Sequence, residues 1–118
     1  MPNIPMVESV LNDIKAREHV KDALVVSRSG MHIAGSPPPG AHLETFVAMS
    51  AILLGAAETA TSELKESLNY LSVNLRDTRV LIFSAGPKAL LVVRVNADAT
   101  ESLLPVLTEY AKKLQGML

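Results

Sequence analysis

The side chains that could do chemistry are few. The chain carries three histidines, His19, His32 and His42, and no cysteine, so a disulfide framework, a thiolate zinc site and a cysteine nucleophile are all excluded. The histidines stand 13 and 10 residues apart, and none has a histidine or cysteine three or four positions away, so their spacing carries no metal signal. They read as surface or loop residues. Serines are plentiful, but none lies in the Gly-x-Ser-x-Gly elbow that would expose a nucleophile. Gly86-Pro87-Lys88 sets a lysine after a glycine, yet a phosphate loop needs Gly-x4-Gly-Lys-Ser/Thr opening a helix, and here a strand-like run follows. Arg28 is the one exposed base to weigh as an arginine acting in trans on a neighbour's phosphates; the plainer reading is a solvated turn residue. No catalytic, cofactor or metal residue is assigned, and the chain is not expected to be an enzyme.

Elements that would position these groups follow from hydrophobic period. Ile4, Val7, Val10, Leu11 and Ile14 recur at spacings of three and four, an amphipathic helix over about 4–17. Val20 to Ser27 and Met31 to Ala34 are β-prone runs around Arg28-Ser29-Gly30, which predicts a hairpin. Residues 35–41, Gly-Ser-Pro-Pro-Pro-Gly-Ala, cannot continue a strand. From His42 to Ser67 the only breaker is Gly55, which predicts one long second helix. Strands at about 69–75, 79–84 and 89–95 follow with turns short enough to make a meander. A last helix starts after Thr100, its expected N-cap, with Pro105 late in the first turn. Met1, Met6, Met31 and Met49 read as core fillers.

The order is therefore α-β-β-α-β-β-β-α, an α+β fold with a five-stranded antiparallel sheet, and 118 residues make a single domain, 1–118. Runs such as Val80-Leu81-Ile82-Phe83 and Ala89-Leu90-Leu91-Val92-Val93 are apolar at both side-chain parities, so both sheet faces must be covered by the three helices. Helices 1 and 3 are placed on one face and helix 2 on the other. Leu71, Val73 and Leu75 alternate strictly with polar residues, as expected for a strand near the sheet edge.

Helix 2 is the unusual element. On a wheel of about 100° per residue, Leu43, Phe46, Val47, Leu53, Leu54, Ala57, Leu64 and Leu68 form the face expected on the sheet. The opposite side should be polar, yet Ala48, Ala51, Ile52, Gly55, Ala56 and Thr59 gather there with Met49 at their border. Such a strip is buried either by another part of the chain or by the same helix of a second copy, a two-fold contact that needs one self-complementary surface. The edge strand, through Leu71 and Val73, could pair with its mate at the same time. Glu44, Glu58, Lys65 and Glu66 read as rim contacts with a partner.

Three blocks, Ala23-Leu24-Val25-Val26-Ser27-Arg28-Ser29-Gly30-Met31-His32-Ile33-Ala34, Met49-Ser50-Ala51-Ile52-Leu53-Leu54-Gly55-Ala56-Ala57-Glu58 and Gly86-Pro87-Lys88-Ala89-Leu90-Leu91-Val92-Val93, resemble in order and spacing those of the roadblock/LC7 family, over about residues 5–115. Asp22 stands where many members have Gly. The resemblance implies a profilin- or longin-like domain that dimerises by helix 2 and the third strand into one continuous sheet. It further implies a non-enzymatic platform or regulator of a Ras-like small GTPase, or an adaptor subunit of a signalling or motor assembly.

Composition narrows the alternatives. Eleven basic against twelve acidic residues argue against an electrostatic nucleic-acid binder or a polybasic membrane clamp. The most apolar run, Phe46 to Ala57, falls short of the roughly 20 residues of a membrane helix, and residues 1–18 lack a continuous apolar stretch for export; a cytoplasmic protein is expected. A small-ligand sensor of PAS-like shape is the other reading, although the strand centres offer no convergent polar groups for a pocket.

Overall fold

The structure, a computed structural model, describes residues 2–118. The elements run α1 (Ile4–Lys15), β1 (Val20–Ser27), β2 (His32–Gly35), α2 (Leu43–Ser62), β3 (Leu71–Asn74), β4 (Thr78–Ser84), β5 (Ala89–Asn96) and α3 (Leu103–Gln115). The five strands form one antiparallel sheet in the order β2-β1-β5-β4-β3, so β2 and β3 are its edges.

Alternation along the strands divides the core in two. Ala23, Val25, Leu81, Phe83, Leu91 and Val93 face α1 and α3, meeting Val7, Leu11, Ile14, Leu107 and Leu114. Leu24, Val26, Ile82, Leu90 and Val92 face the other way, onto Val47 and Leu54 of α2. The central strands are therefore apolar at both parities because each face is covered.

Local chemistry explains the element boundaries. The Asn3 side chain accepts from the Met6 amide and caps α1, with Pro5 in the first turn where its missing N–H costs no bond. In the β1–β2 turn the Gly30 amide donates to the Ser27 carbonyl, and Gly30 adopts φ +88° with the Ala48 Cα only 3.2 Å from where a side chain would begin. Gly35 is tighter still: at φ +87°, a Cβ there would stand 2.4 Å from the Ala23 carbonyl oxygen. Glycine is required at that position by both backbone sign and space.

Three expectations need correction. First, α2 ends at Ser62 rather than Ser67. The hydroxyls of Thr61 and Ser62 bond back to the Ala57 and Thr59 carbonyls, and Lys65 turns into the left-handed region at φ 58°. The stop comes without glycine or proline, from side chains that compete for helix carbonyls. Second, α3 begins at Leu103, and Thr100 is not its cap: the Leu103 and Leu104 amides donate to the Thr100 and Glu101 carbonyls in a tight turn before the helix. Pro105 thereby becomes the third helical residue, where an amide has no intrahelical partner to lose. Third, Met6, Met31 and Met49 are exposed rather than buried; Met1 lies outside the described residues.

Asp22 finds its explanation in register. It stands opposite Arg94 on β5, beside an irregularity in the pairing, and Arg94 Nε donates to Asp22 Oδ2 at 2.5 Å. A glycine at position 22 would leave that guanidinium without its carboxylate.

Candidate interaction surface

Only a narrow stripe of α2 reaches the sheet. Val47, Ser50 and Leu54 are buried, with Leu43, Phe46 and Ala51 packed at their sides. Ser50 is tolerated there because its hydroxyl donates to the Phe46 carbonyl at 2.7 Å. On the far side Met49, Ile52 and Leu53 are 49%, 59% and 45% exposed, joined by exposed Ala56, Thr59 and Ala60. The helix thus presents an apolar face to solvent over three turns.

This face is turned by roughly 60° about the helix axis from the strip expected from the wheel. Ala51 packs against the sheet side and is half-buried; Ala48 and Gly55 lie on the flank, also half-buried. Leu53, expected on the sheet, faces outward, and Leu64 is exposed beyond the helix end. Neither Leu64 nor Leu68 belongs to α2, but the rotation comes from packing: the stripe of Val47, Ser50 and Leu54, with Ala51 beside it, is the one seated on the sheet. Nothing in the chain lies within 4 Å of where a Cβ on Gly55 would stand, so that residue is not small to suit its own core.

Leu71 and Val73 sit half-buried against the α2-side core, and the free side of β3 offers its backbone rather than those side chains. At the other edge, β2 is interrupted by a register shift, and Pro37 to Pro39 follow it closely, both features that discourage strand pairing.

The two residues Arg28 and Glu58, which the sequence offered separately, come together. Arg28 Nη1 donates to Glu58 Oε1 at 2.5 Å and Nη2 to Oε2 at 3.2 Å. The same guanidinium donates to Ser84 Oγ at 2.7 Å and to the Gly86 carbonyl from Nε and Nη2 at 3.3 and 3.2 Å. One side chain joins the β1–β2 turn, the β4–β5 turn and α2. With its donors so engaged, Arg28 is not the free base considered as an arginine acting in trans. Glu44, Lys65 and Glu66 remain exposed, at the start of α2 and past its end.

The histidines serve the backbone. His42 caps α2, its Nδ1 accepting from the Thr45 amide at 3.3 Å. His32 Nε2 meets the Gly35 carbonyl at 2.6 Å, and His19 takes φ 74° ahead of β1. Among the described residues no group of three metal-binding side chains occurs. By length and composition α2 is apolar enough to cross a membrane, with mean hydropathy 1.3 over its best window, more than the twelve-residue run alone suggested; its buried stripe docks it on the sheet.

Two helices on one side of an antiparallel sheet and a single outward-apolar helix on the other define a profilin-like α+β domain with an uncovered apolar helix face. The chain belongs to the Roadblock/LC7 domain family, whose sequence pattern matches residues 6–94. An uncharacterized protein of Methanocaldococcus jannaschii is 29% identical over 114 residues, covering 95% of this chain and 96% of its own. Among solved structures, the gliding protein MglB of Thermus thermophilus superposes with a TM-score of 0.81 at 18% identity, over 99% of this chain and 96% of that one. A structure described as MglB with a tetrameric arrangement superposes at 0.84 and 18% identity, with the same coverage. A profilin bound to rabbit actin shares the fold more distantly, at 0.68 and 16% identity over 100% of both chains.

Proposed function

We propose that this chain is a single roadblock domain, 1–118, that acts as a two-fold homodimer and as a non-enzymatic platform or regulator of a Ras-like small GTPase in the cytoplasm. The observation that carries the dimer is the outward apolar face of α2. Met49, Ile52, Ala56 and Thr59 would form its centre and Ala48 and Gly55 its flank, with Leu53 added, while Ala51, on the sheet side, is left out of it. Small residues allow two helix backbones to approach closely, and a two-fold axis lets one such face satisfy itself. The free edge of β3 at Leu71 to Val73 would extend the sheet across the axis.

The GTPase reading rests on family likeness: the structural relatives include a gliding protein, and the roadblock pattern is shared over most of the chain. Glu44, Lys65 and Glu66 rim the α2 face where a partner could reach them, and Arg28 with Glu58 would act through the two turns they tie together. The deciding experiment is a pull-down with purified Ras-like GTPases of the host, loaded with GDP or with a non-hydrolysable GTP analogue, followed by GTP-hydrolysis and nucleotide-exchange assays. Nucleotide-dependent capture is the expected result. Capture of no GTPase in either state would discard the regulator in favour of an adaptor.

A further inference from the structure

The sheet face opposite α2 carries a second surface. Along α3, Val106, Glu109, Tyr110, Lys112 and Lys113 line an open groove of about 610 Å³ together with Arg17, from the segment after α1. A second concavity of about 420 Å³ adjoins it through the shared Arg17 and Val106 and reaches Ser102 and Leu103 at the start of the helix. The combined trough runs beside α3 for about 15 Å from Leu103 to Lys113, the length of four to five extended residues.

Its floor and rim differ in kind. The Tyr110 ring and Val106 supply an apolar floor. Arg17 is held over that floor, 5.5 Å from the ring centroid, and its Nη2 donates to the Tyr110 hydroxyl at 3.2 Å. Glu109 is engaged by Lys112 at 3.4 Å, and the Glu18 carboxylate, on the second concavity, is exposed and points to solvent beyond His19. Among the described residues no carboxylate lies within 4 Å of Arg17 or Lys113. Two unpaired cations thus flank an aromatic floor, and one of them is already oriented by stacking, so fewer rotamers are lost when an anion binds.

We propose that this trough is a docking site for an acidic peptide segment of a partner protein, with a carboxylate on Arg17 and Lys113 and a neighbouring leucine or phenylalanine on Tyr110 and Val106. The site lies across the sheet from α2, so it stays open whether or not α2 pairs, and it is independent of the GTPase reading.

The test is fluorescence anisotropy of a labelled octapeptide of alternating glutamate and leucine, with the lysine–leucine counterpart as control. The acidic peptide should bind and the basic one should not. Arg17→Ala and Lys113→Ala should each weaken binding about tenfold, the loss of one charge-assisted hydrogen bond, whereas Lys88→Ala, exposed in the β4–β5 turn, should leave it unchanged. Because the chain has only two tyrosines and no tryptophan, a Tyr70→Phe variant leaves Tyr110 as the sole tyrosine, and its emission should change on peptide binding. Thermal melts show whether each variant is folded. Equal binding of both peptides, or binding indifferent to Arg17 and Lys113, would overturn the proposal. So would tighter, Arg17-dependent capture of phosphatidylserine vesicles or polyuridylate than of the acidic peptide.

Discussion

Single residues carry the joints of this molecule. Arg28 ties two turns to α2, and its side chain and that of Glu58 are 27% and 36% exposed, so water screens the pair in part. Arg28→Ala should destabilise the fold by about 1–3 kcal/mol, measured by urea denaturation. A double-mutant cycle with Glu58→Gln should return a coupling energy; additivity would mean that the bonds to Ser84 and Gly86 carry the whole effect. Glycines give a sharper contrast. Gly35→Ala meets both a left-handed backbone and the Ala23 carbonyl and should cost about 3 kcal/mol or more. Gly40→Ala, at φ +84° with nothing within 4 Å, meets only the backbone penalty, about 1–2 kcal/mol. Equal losses in the two variants would show that the close approach at Gly35 is relieved by small shifts. The residue types of these sites were legible, but their pairing was not: Arg28 and Glu58 are thirty positions apart, and no local period relates a turn to a helix flank.

At the scale of elements, α2 is the decisive one. Its outward face can be altered without touching the fold, because Ala56 is exposed and lies away from the buried stripe of Val47, Ser50 and Leu54. Ala56→Arg should therefore leave thermal stability of the isolated subunit within about 0.5 kcal/mol while converting a dimer to a monomer in sedimentation velocity. A dimer that survives both Ala56→Arg and Ile52→Glu would exclude this face as the interface. The helix, the hairpin and the meander were all legible from period and turn residues. The end of the helix was not, since the stop at Ser62 comes from hydroxyl back-bonding that leaves no glycine or proline to mark it; nor was the position of the strip, because a helix apolar nearly all round does not say which stripe the sheet will take. The start of α3 was misplaced for a related reason: Thr100 has the chemistry of a cap, but Pro105 is tolerated only if the helix begins later.

For the whole molecule, a sheet covered on both sides leaves α2 as the helix with an open apolar face, so stability should depend on association. If two chains unfold together, a tenfold rise in protein concentration should raise Tm by about 3 °C; a Tm independent of concentration would mean that the subunits unfold alone. What the sequence determined by itself was the element order, the two-sided sheet and the presence of more apolar surface on helix 2 than one face can bury. Those are properties of composition and period, which act along the chain. Only the tertiary structure decided which stripe of α2 meets the sheet, that Asp22 has Arg94 opposite, that Arg28 is engaged rather than free, and that Arg17 lies over Tyr110. Each of these depends on register and on the angle at which a helix crosses strands distant in sequence, and such geometry is set by packing between elements rather than by residues within one.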